Sequence, residues 1–143
     1  MRFMVIIKAD ADSESGKLPS AELIAAMGRY NEQMVKAGVM LAGEGLQPSS
    51  KGARVRFLAG NKTQVIDGPF ETKELVAGFW LIETKSKAEA LEWVRRCPVD
   101  AGAEIEVRQL FEAADFPSEV VPPEDVARED ALRAELQRKA ARA

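Results

Sequence analysis

Between Asp67 and Glu74 the sequence D-G-P-F-E-T-K-E sets Asp67, Glu71, Lys73 and Glu74 directly after an apolar run. If the chain turns as a helix after Phe70, Glu71 and Glu74 fall at i, i+3 on one face. Adjacent carboxylates are one way for a protein to hold a proton near neutrality and so supply a general acid. That matters because the chain has no histidine. Imidazole acid–base catalysis, Ser-His and Cys-His nucleophiles and imidazole metal ligands are all excluded. Proton transfer would fall to Asp, Glu, Lys, Tyr or water, with Asp67 and Glu71 as the acid–base candidates and Lys73 and Glu74 beside them as ligand contacts. The alternative is a solvated turn: Asp-Gly-Pro turns by backbone chemistry alone, glycine tolerating positive φ and proline fixing its own.

Two further places set charge into apolar strands. In E-I-E-V-R-Q-L, Glu104 to Leu110, alternation puts Ile105 and Val107 on one face and Glu106 and Arg108 on the other. If the Ile/Val face packs on helices, Glu106 and Arg108 must pair with each other or hold a ligand, with arginine suited to clamping a carboxylate. Glu44 lies in V-M-L-A-G-E-G-L between Gly43 and Gly45. Alternation groups it with Met40, Ala42 and Leu46, and it reads either as a ligand contact or as a solvated edge residue. Glycine inside a strand signals a bulge, a bend or close approach.

The elements that must position these groups follow from periodicity. Phe3 to Lys8 is a strand apolar on both faces. A-D-S-E-S-G-K-L-P reads as a loop, and Ser20 then caps a helix carrying Leu23, Met27, Tyr30 and Met34, stopped at Gly38. Val39 to Leu46 is the next strand. Ala53 to Leu58 and Thr63 to Ile66 form a hairpin about Gly60 and Asn61. Ala77 to Thr84 is a strand that puts Phe79 and Trp80 on opposite faces. Ser86 and Glu89 form a capping box for a second helix ended by Pro98, and Glu104 to Leu110 closes the order.

Two β-α-β units with antiparallel pairing specify an α+β, ferredoxin-like split β-α-β sheet with an inserted hairpin and both helices on one face. Strands apolar on both faces then need a second cover. A homodimer in which two sheets pack face to face supplies it. The domain is expected over residues 1–112. Residues 113–143 form a Pro-rich linker and a helical tail over Asp125 to Arg142 whose apolar residues are Val126, Leu132 and Leu136.

Composition narrows the partners. A chain of 143 residues with 46% hydrophobic content suits one domain and a tail. Its net charge of −3 and the absence of a basic block argue against nucleic acid. No apolar run reaches the roughly 20 residues of a membrane span, and no signal peptide is visible, so a cytoplasmic protein is expected. The single cysteine, Cys97, reads as a small buried hydrophobe, and it allows neither a disulfide within the chain nor a structural zinc site. No cofactor motif is present.

Taken together, E-G-L at Glu44 to Leu46, D-G-P-F-x-x-K-E at Asp67 to Glu74, G-F at Gly78, E-A-L-E-W at Glu89 to Trp93 and I-E-V-R at Ile105 to Arg108 resemble the YCII-related proteins of the DGPF type. The resemblance spans about Met1 to Leu110. It implies a dimeric α+β barrel, in a superfamily of small cofactor-independent enzymes and ligand binders that use the cavity between sheet and helices or the dimer interface. It also implies an association with extracytoplasmic-function sigma factors. Some relatives carry a His-Asp pair proposed as catalytic; Asp67 matches the aspartate, but this chain lacks the histidine. Two readings follow: a dimer that binds a small polar or anionic metabolite with possible acid–base catalysis, or an interaction module for a sigma-factor-type partner.

Overall fold

The structure is a computed structural model and describes residues 1–143. It contains two compact units, Met1–Leu110 and Phe111–Ala143. In the first, strands β1 (Arg2–Lys8), β2 (Met40–Gly45), β5 (Val76–Glu83) and β6 (Ile105–Gln109) form a sheet in the order β2-β5-β1-β6. Every neighbouring pair is antiparallel. Helix α2 (Ala21–Lys36) connects β1 to β2, and α3 (Lys87–Arg95) connects β5 to β6. This is the expected split β-α-β order. Between β2 and β5 the chain makes a separate two-stranded hairpin, β3 (Ala53–Leu58) and β4 (Lys62–Asp67). No helix is long and apolar enough to cross a membrane.

The core lies between the helices and one face of the sheet. Phe3 and Val5 of β1, Trp80 and Ile82 of β5, Tyr30 and Met34 of α2, and Ala90 and Trp93 of α3 are buried there together with Val39 and Cys97. The Tyr30 hydroxyl donates to the Trp93 carbonyl at 2.9 Å, and its ring meets Trp80 edge-on at 5.5 Å. The Trp80 indole N–H donates to Asn31 Oδ1 at 2.9 Å. A buried hydroxyl and a buried indole N–H each need an acceptor, and here they tie α2 to α3 and to the sheet.

Helix limits follow local chemistry. The Ser20 hydroxyl accepts from Leu23 N, and α2 ends where Gly38 takes φ +70 and Val39 N donates to Met34 O. Ser86 caps α3 as expected, but the Glu89 carboxylate accepts from Lys85 N at 2.8 Å and not from the cap residue itself. The expected loop after β1 contains a short helix, α1 (Ala11–Glu14), with Asp10 and Ser13 in a reciprocal capping box. The D-x-x-S spacing at Asp10 carried that signal. In β2, a register shift between Met40 and Ala42 pairs Met40 with Ile82 and Ala42 with Leu81. One extra residue reverses the alternation. Met40 therefore joins the core side while Ala42 and Glu44 face outward, which corrects the grouping of Met40 with Glu44.

The second unit holds helix α4 (Pro123–Arg142), which begins two residues before the expected Asp125, with proline in its first turn where no N–H is needed. Leu132 and Leu136 are exposed on it. Before it, the rings of Phe111 and Phe116 pack at 5.0 Å.

Burial pushes the Tyr30 hydroxyl up from 10.0 to about 12, with the Cys97 thiol adding to the effect and Arg96 opposing it. Burial likewise pushes Cys97 from 9.0 to about 11. Both folded-state values lie above the unfolded ones, so their contribution to stability is complete below about pH 9 and is lost as pH rises through 11 and 12. Urea midpoints measured from pH 8 upward should fall more steeply for the native sequence than for a Tyr30→Phe/Cys97→Ala double variant. Parallel curves would refute this.

Candidate functional site

Strand register distributes the chemistry-bearing residues over three places. On the outer face of the four-stranded sheet, one row across the strands reads Glu106, Ile6, Phe79, Glu44, and the next reads Arg108, Met4, Leu81, Ala42. Glu106, Arg108 and Glu44 therefore share the face opposite the helices. They do not form one group: with strands about 4.8 Å apart, Glu44 and Glu106 stand about 14 Å from each other. Glu106 lies between two cations, Lys8 and Arg108, each at 3.8 Å. Arg108 is exposed, and its charge is engaged by its neighbour on the same strand.

At the free edge of β2 the main chain around Glu44 lines a small pocket of about 240 Å³ with Met27, Asn31, Gly78 and Trp80. The glycines here serve packing. A Cβ on Gly43 would meet Trp80 Cδ1 at 2.5 Å, and one on Gly78 would meet the Glu44 carbonyl at 3.0 Å. Close approach, one of the meanings of glycine in a strand, is what the sheet requires at these positions.

The third place is the D-G-P-F stretch. The Gly68–Pro69 peptide is cis. Gly68 is required by proximity and not by a positive φ, which corrects the expectation for this turn: a Cβ there would fall far inside contact distance of the Ser49 carbonyl. Gly68 N donates to Gly52 O at 3.0 Å. Phe70 N donates to Ser49 Oγ at 3.0 Å, Ser49 Oγ donates to Glu14 Oε2, and Ser49 N donates to Glu14 Oε1 at 3.0 Å. One carboxylate thus holds both donors of Ser49, and the Ser49 oxygen in turn holds the turn. A charged acceptor makes these bonds stronger than neutral ones.

This anchoring fixes the Phe70 ring, and the Arg54 guanidinium lies over it with Cζ 3.9 Å from the centroid. Beyond Phe70 the chain makes one 3-10 turn over Thr72–Glu74, so Glu71 and Glu74 stand at its two ends, three residues apart. Arg54, Pro69, Phe70, Glu71, Lys73 and Glu74 line an open cleft of about 600 Å³. Glu71, Lys73 and Glu74 are brought together as expected from their spacing. Asp67 is separated from them: it pairs with Ala53 and shares the hairpin face of Val55 and Val65, opposite Arg54 and Ile66. Arg54, Ser49 and Glu14 are contributions that periodicity does not single out. Arg54 reads as one polar position of an alternating strand, Ser49 as a loop residue and Glu14 as part of a wet loop.

The family model described as the YCII-related domain matches residues 1–114. An uncharacterized protein of Rhizobium meliloti (strain 1021) is 37% identical over 89 residues, covering 59% of this chain and 71% of that protein. Among solved structures, 5-chloro-2-hydroxyhydroquinone dehydrochlorinase (TftG) from Burkholderia phenoliruptrix AC1100, in complex with 2,5-dihydroxybenzoquinone, is 16% identical with a TM-score of 0.41. It covers 82% of this chain and 100% of that one.

Two substitutions test how the cleft is held. Gly68→Ala forces a Cβ into the Ser49 backbone and should cost about 3 kcal/mol of stability. Ser49→Ala takes one of its two donors from the Glu14 carboxylate and the acceptor from the Phe70 N–H, and should cost about 1–3 kcal/mol. Urea unfolding of both variants measures this, and wild-type midpoints would remove the anchoring role.

Proposed function

The chain belongs to the YCII-related domain family, and from that premise we propose that it is a cytoplasmic homodimer that binds a small anionic or polar metabolite in the cleft at Pro69 to Glu74. The observation that carries this reading is the Arg54 guanidinium stacked on the anchored Phe70 ring beside Lys73. Stacking holds the plane of an arginine while leaving its edge donors free to grip a carboxylate or phosphate in two bonds. Lysine adds a flexible point charge. Arg54 therefore suits the clamp role better than Arg108, whose partner is Glu106.

For acid–base chemistry on a bound ligand, Glu71 and Glu74 are the carboxylates at the cleft. Asp67 lies on the other face of β4, which favours Glu71 over Asp67 as the acid–base group. The dimer is supported by the outer sheet face, where Met4, Ile6, Phe79 and Leu81 are only half-buried and lie on the side opposite the core residues Phe3, Val5, Trp80 and Ile82.

A second reading, an interaction module for a sigma-factor-type partner, is favoured by the separate unit Phe111–Ala143 with Leu132 and Leu136 exposed on α4. It expects binding to a purified extracytoplasmic-function sigma factor that Leu132→Glu/Leu136→Glu abolishes. Equal binding by the variant counts against it.

For the first reading, thermal unfolding with a panel of small carboxylates and phosphate esters should find stabilising ligands. Arg54→Ala and Lys73→Ala should each weaken binding about 10- to 100-fold, with Arg108→Ala near wild type. Loss confined to Arg108→Ala would move the site to the outer sheet face. No stabilisation by any compound would remove the reading.

A further inference from the structure

The cleft at Pro69 to Glu74 carries charge of both signs: Arg54 and Lys73 are its cations, Glu71 and Glu74 its carboxylates. With two of each, it has no formal net charge. Yet none of the four makes an ion pair within the chain. Arg54 lies on the Phe70 ring instead, and that ring is held by the bond from Phe70 N to Ser49 Oγ. Glu71 and Glu74 stand one 3-10 turn apart, about 6 Å along its axis. An ammonium that donates at about 2.8 Å to a carboxylate on either side spans such a gap. A plain anion gripped by Arg54 and Lys73 leaves the two carboxylates unanswered, and a plain cation leaves the two bases.

We propose that this cleft takes a zwitterion of the amino acid class, its carboxylate held by Arg54 and Lys73 and its ammonium by Glu71 and Glu74. The inference rests on the metabolite cleft proposed above and deepens it, from a site for an anion to one that reads two opposite charges on one small molecule. Donor geometry divides the work. The planar guanidinium fork matches the two oxygens of a carboxylate, and stacking on Phe70 keeps that plane in place. An ammonium has three directed N–H donors and no acceptor, so only oxygens satisfy it, and the two glutamates are the anionic oxygens of the cleft. A divalent cation matches them less well, since it takes about six oxygens or more and Lys73 lies between the two glutamates in sequence. At about 600 Å³ the open cleft leaves room for the rest of an amino acid, so selection falls on its charged ends.

Calorimetric titration of the full chain with alanine and β-alanine tests this, with propionate and ethylamine as the analogues that each lack one charge. At least one of the two amino acids should bind about tenfold or more tighter than either analogue. Glu71→Gln/Glu74→Gln should abolish that preference over propionate, and Arg54→Ala should abolish the preference over ethylamine. All these positions are exposed, so the variants should keep the native unfolding midpoint. Propionate as tight as the amino acids, a glutamine double variant that retains the preference, or stabilisation by phosphate esters alone overturns the zwitterion and leaves the anion cleft standing. No binding by these four compounds or by any carboxylate or phosphate ester overturns both.

Discussion

The sheet is apolar on both faces, and the unit has helices for only one. The packing of the four-stranded sheet and its helices is arranged around that imbalance. On the covered side, β1 and β5 deliver Phe3, Val5, Trp80 and Ile82 to α2 and α3, and the two buried polar groups that come with such residues find acceptors in Trp93 O and Asn31 Oδ1. On the other side, the same strands carry Met4, Ile6, Phe79 and Leu81 between charged rims. Covering an apolar strip of that kind is favourable, and this is the physical ground of the dimer proposed above. The bulge in β2 belongs to the same arrangement, since it lets Met40 serve the core while Glu44 looks outward.

The cleft depends on a different economy of contacts. Three loops far apart in sequence meet at Ser49, which takes a hydrogen bond from Phe70 and gives two to Glu14. Their meeting leaves no room for a Cβ at Gly68. The result is a rigid base under the Phe70 ring, and the ring orients Arg54. Charges at this cleft are exposed and thus screened, so its discrimination would come from the direction of the guanidinium fork more than from Coulomb energy. The outer sheet face has the opposite character: Glu106 is flanked by Lys8 and Arg108 and is satisfied without a ligand.

Strand order, helix caps, the hairpin and the α+β class were legible in the sequence because each rests on local rules of periodicity, capping and turn chemistry. The D-G-P-F segment was legible only as a turn carrying charge. Asp67 and Glu71 are four residues apart, yet the hairpin ladder puts Asp67 on the face opposite Arg54, a separation that depends on which face of β4 the chain leaves from. The bulge at Leu41 has the same lesson. Alternation predicts a side chain's direction until a single unpaired residue reverses it, and nothing in V-M-L-A-G-E-G-L states where that residue is.

By itself, then, the amino-acid sequence determined the elements, their order, the surplus of apolar strand faces and the exclusion of imidazole chemistry, since all of these are properties of neighbouring residues or of composition. Only the tertiary structure decided that Arg54 and not Arg108 lines a cleft with Lys73, that Glu14 holds Ser49 under the turn, and that Glu44, Glu106 and Arg108 share a face without forming one group. Those facts depend on contacts between segments tens of residues apart. No local pattern encodes them, because hydrogen bonding and close packing across loops select partners by position in space.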